Sequence, residues 1–142
     1  MRRRLILAIG GLVIIVAGVL LATRDGDTNQ PDAAADIGLE TRTVTVGEVD
    51  VTIEPRQLDD RGATFHITLD THSVELDADL TQATLRIGST DWPVDGWSGD
   101  GPGGHHREGD LRFRSAGPVA ETVTLEIPGL PEPVEATWAL PS

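Results

Sequence analysis

Four histidines are the residues in this 142-residue chain whose chemistry could be put to use. His66 and His72 flank the end of one alternating run in HITLDTHSVELD, and His105 and His106 are adjacent in GGHHREG. Neutral imidazole is the commonest protein ligand for zinc and copper, so histidines gathered with a carboxylate would hold a divalent cation. The set this sequence offers is His72, His105 and His106, with His66 as a fourth and copper or zinc as the metal. Simpler readings stand beside it. His66 sits on the outward side of a strand whose other side is apolar, where a cross-strand partner suffices. Adjacent side chains in extended chain point to opposite sides, so His105 and His106 rarely share one metal; one of them then caps the core or bonds a turn carbonyl. Arg107 and Glu108 read as a local surface ion pair, worth little.

Other constellations are weaker. Asp91, Asp95, Asp100 and Asp110 surround a glycine-rich segment, yet DWPVDGWSGDG lacks the spacing of an EF-hand loop. Ser73 follows His72 without the glycines of a nucleophile elbow. Gly101, Gly103 and Gly104 could cradle a phosphate, but no helix follows them and the surrounding charge is acidic. Trp92 and Trp97 are expected to pack across the sandwich; either of them exposed beside the loop would favour a ligand or partner contact. Ser73, Trp97, Gly103 and Gly104 are therefore the loop positions to watch.

The elements that must position these residues are strands. Ala63, Phe65, Ile67 and Leu69 alternate with Thr64, His66, Thr68 and Asp70, a period of two. Val44 and Val46 alternate in one phase and Val49, Val51 and Ile53 in the other, so a bulge or a change of sheet is expected at Gly47 and Glu48. Residues 73–80 repeat the alternation with Val74, Leu76, Ala78 and Leu80. Leu85 and Ile87 precede a hairpin turn at 88–91, and Trp92 and Val94 follow it. Residues 98–110 hold five glycines and a proline and read as loop. Leu111 and Phe113, then Val123, Leu125 and Ile127, then Val134, Ala136, Trp138 and Leu140 close the chain. Nowhere do apolar residues keep a helical period over three turns. About eight or nine short strands with turn signals roughly every 8 to 12 residues predict an immunoglobulin-like two-sheet sandwich, with a small closed barrel as the alternative. If 84–97 is one strand, the loops at 71–73, 98–110 and 129–133 share an end of the sandwich. If 84–94 is a separate hairpin, the loop at 98 starts at the far end.

Composition places that domain outside a membrane. Leu5 to Ala22 is an unbroken run of 18 apolar residues behind Arg2, Arg3 and Arg4. About 20 such residues cross a bilayer as a helix, and a cleavable signal has a shorter apolar core. An uncleaved signal anchor over residues 5–23 is expected, with residues 1–4 cytoplasmic. Residues 24–40 read as an acidic tether and 41–142 as the extracytoplasmic domain. Residues 25–142 carry all 23 acids and only seven of the 11 basic residues, a formal charge of −16 that repels nucleic acid and anionic lipid. There is no lysine, and aspartates outnumber glutamates 14 to 9, a profile that resembles proteins from high-salt archaea. An exported protein encoded by a GC-rich genome would also favour arginine. Without cysteine the fold has no disulfide and the chain no thiol chemistry.

The segments LDTHSVELDADL, GPGGHHREGDLRF and VTLEIPGL with the terminal ATWAL resemble a group of uncharacterised prokaryotic exported β-sandwich proteins having a THS segment and a GGHH loop. The similarity spans about Ala63 to Leu140 and implies no activity; it singles out His72, Ser73, Gly104, His105 and His106. The function expected is a membrane-anchored, non-enzymatic binding or interaction module for an unknown protein partner. Its working end would be the histidine-glycine loop. The alternative is a structural surface domain in which GGHH caps the core. An enzyme would need an activated nucleophile or a metal with an open position.

Overall fold

The alternating runs become strands because each has one face to bury. The computed structural model describes residues 37–142, and the anchor and the tether up to residue 36 lie outside the described residues. Its strands are β1 (Arg42–Val46), β2 (Val49–Asp59), β3 (Gly62–Thr71), β4 (Thr84–Ile87), β5 (Thr90–Trp92), β6 (Val94–Gly99), β7 (His106–Arg114), β8 (Thr122–Ile127) and β9 (Val134–Ala139). One 3-10 turn, Leu80–Gln82, is capped by Asp79, whose carboxylate accepts from the Thr81 amide at 3.0 Å. Among the described residues no helix is long and apolar enough to cross a membrane.

The described residues are all-β, with a five-stranded antiparallel sheet in the order β1-β2-β3-β7-β6 and a four-stranded one in the order β5-β4-β8-β9. Their inward residues meet in one core. Val51, Ile53, Phe65, Ile67, Leu69 and Leu111 come from the first sheet, and Leu85, Ile87, Val123, Leu125, Ile127 and Trp138 from the second. The Phe65 ring stacks on Trp138 at 5.7 Å between centroids and meets Phe113 edge-on at 6.1 Å. Each such side chain contributes about 1.5–3 kcal/mol on burial, which is what holds a chain without disulfides. Ordered contacts reach back to Leu39, which packs on the core, and to Glu40, whose carbonyl accepts from the Trp138 indole at 2.7 Å.

Several sequence expectations are corrected. The phase change at Gly47 and Glu48 is the turn of the β1–β2 hairpin, Val46 pairing with Val49, and not a bulge within one strand. The segment 73–80 buries Leu76, Ala78 and Leu80 with the period of a strand yet joins neither sheet. Its backbone bonds go to the glycine loop, Leu76 donating to the Gly104 carbonyl at 3.0 Å and accepting from the Gly103 amide at 2.9 Å. Residues 84–97 are not one strand. β4 and β5 form a hairpin, and Pro93, with no N–H to extend the ladder, carries the chain from the four-stranded sheet into β6 of the other. The loop at 98–110 shrinks to 100–105, because His106–Asp110 belongs to β7. Since 73–80 is not a strand and 84–92 is a hairpin, the two departures cancel. The 71–76 and 100–105 segments meet at one end, where the Thr71 amide donates to the His105 carbonyl at 2.9 Å.

Candidate functional site

The GGHH loop is tied down from below. Gly103 and Gly104 have φ of 109° and 75°, a region that favours glycine, and this lets their backbone turn onto the 73–80 segment. The Gly104 amide also donates to Glu75 Oε2 at 2.9 Å, and Ser73 Oγ donates to Glu48 across the same end. His72 and His105 are exposed, and their imidazoles make no hydrogen bond or ion pair with any described residue. Among the described residues no three or more histidines, aspartates or glutamates are gathered to hold a metal, so His72, His105 and His106 are not brought round one position.

What the strands bring together instead is His66 and His106. On the outer face of β3 and β7 the register sets Asp70 opposite His106, Thr68 opposite Glu108 and His66 opposite Asp110. Reading along the face gives Asp70, His106, Glu108, His66, Asp110, acids and imidazoles in strict alternation. His106 Nδ1 lies 2.6 Å from Asp70 Oδ1, and His66 Nδ1 lies 2.8 Å from Asp110 Oδ1. An ionised carboxylate only accepts, so each Nδ1 carries the proton and each Nε2 of the neutral ring is left bare. Both Nε2 atoms face the same oxygen, Glu108 Oε2, at 3.8 Å from His106 and 4.0 Å from His66. A bare ring nitrogen facing a carboxylate gains nothing, whereas a protonated one at this distance is attracted as one member of an ion pair. The hydrogen bond to Asp70 above all raises the His106 pKa above the ordinary 6.5; desolvation opposes it, and the charges of Asp70, Glu108 and Asp100 add to it.

Under the ladder lies a residue the sequence reading misassigned. Arg107 and Glu108 are not a surface ion pair: alternation on β7 turns Glu108 outward and Arg107 inward, where it is 3% exposed. Its guanidinium donates to the carbonyls of Leu76 at 2.9 Å and Ala78 at 2.8 Å, and no carboxylate among the described residues lies within ion-pair distance. It rests over the Trp97 ring at 5.9 Å, and Trp97 donates to the Asp100 carbonyl at 2.9 Å. Gly109 makes room for that ring, since a Cβ there would stand 2.8 Å from it. Trp97 is thus half-buried against the core as the bed of Arg107, while Trp92 is fully inside.

Asp70, Glu108 and Asp110 are the site residues the sequence reading left out of the histidine set. Their signal was parity: His66, Thr68 and Asp70 share one face, and His106, Glu108 and Asp110 share one face once HREGD is read as strand and not as loop. Compared with family models, with curated proteins and with solved structures, the chain matches none of them.

Proposed function

We propose that the chain is a membrane-anchored extracytoplasmic binding module whose working surface is the acid–histidine ladder of β3 and β7. The observation that carries the reading is the pair of imidazoles, each fixed at Nδ1 by an aspartate and turned at Nε2 towards Glu108. Such a face binds cations: protons first, and with them a change in the charge shown to a protein partner. Copper or zinc is the second reading, because an aspartate on Nδ1 is how proteins orient a histidine whose Nε2 ligates metal. No three such side chains stand round one point as they are placed, so a metal would have to draw His66, His106 and Glu108 together, with His72 and His105 outside the set. The module is read as a non-enzymatic one. Its acidity directs it to cationic partners and away from nucleic acid.

The scaffold of this reading is an immunoglobulin-like sandwich carrying one extra edge strand. What supports it is the pairing order β2-β3-β7-β6 over β5-β4-β8-β9, the order of strands A-B-E-D over C′-C-F-G. What supports the anchor is the apolar run behind three arginines. Titrating the full chain in detergent micelles with zinc or copper, while following the imidazole resonances, tests the site. Selective shifts of His66 and His106 that vanish in Glu108→Gln are expected. Shifts confined to His72 and His105 would return the site to the glycine loop, and no shift at any histidine would eliminate the metal reading.

A further inference from the structure

The segment 73–80 has the alternation of a strand but only one of its two backbone edges in use. Leu76 gives both of its backbone groups to Gly103 and Gly104, and the carbonyls of Leu76 and Ala78 also accept from Arg107. In extended chain successive residues present their backbone groups to opposite edges, so Glu75 and Asp77 present theirs on the other side. There the amides and carbonyls of both make no hydrogen bond with any described residue. Val74, Glu75 and Asp77 share a groove of about 250 Å³ with Val49, Leu130 and Pro131, and the glycine loop takes no part in it. The edge therefore looks across to the turn between β8 and β9. Gly129 closes one end of the groove, since a Cβ there would lie 3.3 Å from that of Ala78. Val74 and Leu130 are half-buried on its two sides, while Glu75 and Asp77 are exposed. An unpaired edge of extended chain is a template for another strand.

We propose that this edge receives an extended segment of a partner protein, added as an antiparallel strand, in which two basic residues flank an apolar one. The pattern of the occupant follows from the groove. Residues set opposite Glu75 and Asp77 turn their side chains to the same exposed side as these acids, and opposite charges there attract. The residue between them points inward, between Val74 and Leu130, and must be apolar. Backbone bonds to Glu75 and Asp77 hold the strand, and the side chains select it. Charge argues against a second copy of this chain and against residues 24–36 as occupants, because both are acidic. The site does not depend on the histidine ladder, whose side chains lie on the outer face of β3 and β7.

The test uses the full chain in neutral micelles with the capped peptide acetyl-Thr-Arg-Val-Arg-Thr-amide. Beside it go the Glu-Val-Glu counterpart and a version N-methylated at Arg, Val and Arg, which keeps both charges but cannot donate from those residues. Saturable shifts at Glu75, Asp77 and Leu130 are expected with the first peptide, together with at least about tenfold slower hydrogen exchange of the Glu75 and Asp77 amides. The glutamate and N-methylated peptides should produce neither. Leu130→Ala should weaken binding about fivefold through lost apolar contact. Asp60→Asn with Glu121→Gln, which removes two charges at the other end of the sandwich, should leave it unchanged. Full binding of the N-methylated peptide, or shifts that never saturate, would reduce the effect to general attraction by an acidic surface and overturn the proposal. So would exchange at Glu75 and Asp77 that saturating peptide does not slow. Slow exchange of these amides already without peptide would mean that another copy, or another part of the chain, covers the edge, and would overturn it too.

Discussion

On the outer face of β3 and β7 the carboxylates of Asp70, Glu108 and Asp110 each meet an imidazole, whereas on the outer face of β8 and β9 Glu126 meets Glu135. Both arrangements are written by the same rule, that residues directly opposite in an antiparallel pair must tolerate each other. The first face answers its own charge, to a degree that depends on pH. The second leaves its charge unanswered. An acidic protein can thus be uniformly negative in composition and still carry two different kinds of surface, one that pairs its carboxylates with imidazoles and one that sets carboxylate against carboxylate.

Removing what lies beneath the first face should separate the two most strongly. Arg107→Met keeps the volume but strands the Ala78 carbonyl and leaves that of Leu76 with the Gly103 amide alone, and a loss of about 2 kcal/mol is expected, read as a lower melting temperature. Hydrogen exchange should quicken at Leu76, Gly103 and Thr71, whose amides join the 71–76 and 100–105 segments, while the amides between β8 and β9 keep their protection. Equal loss of protection on both faces would mean that Arg107 serves the whole core and not the ladder's support.

Neutralising a carboxylate should have opposite signs on the two faces. Glu126→Gln relieves a repulsion and is expected to stabilise by about 0.5 kcal/mol, visible as a small rise in the denaturation midpoint. Asp70→Asn removes the charge that makes the bond to His106 a strong one and is expected to lower it below pH 7. The same sign for both would dissolve the distinction drawn here.

The smallest effect is the dependence of stability on pH. The folded state holds the His106 proton more tightly than the unfolded chain, so this contribution is complete below pH 6.5 and disappears as pH rises through the raised folded pKa. A melting temperature that falls slightly across neutral pH, and no longer does so in Asp70→Asn, is the expected outcome.

Much of this fold was legible in period-two alternation. Phe65, Ile67 and Leu69, or Val123, Leu125 and Ile127, could bury one face only as strands. The 73–80 segment shows where that signal fails, because alternation reports burial, while membership of a sheet depends on where the backbone bonds go. Those of Leu76 go to two glycines nearly thirty residues away. The ladder was missed for a related reason. Five glycines suggested loop through Asp110, although Gly109 is a strand residue opposite Ile67, kept small for the Trp97 ring. Arg107 looked like a surface cation because a buried guanidinium held by carbonyls leaves no charge pattern in sequence. The like-charge pair of Glu126 and Glu135 depends on register, which alternation alone does not set.

The most direct measurement is nitrogen-resolved NMR of the histidine rings of the full chain across pH, repeated on Glu108→Gln. The ladder requires the neutral rings of His66 and His106 to carry their proton on Nδ1, and requires His106 to titrate above 6.5 and to fall when Glu108 is neutralised. Neutral rings protonated on Nε2, with a His106 titration at or below 6.5 that ignores Glu108→Gln, would contradict it.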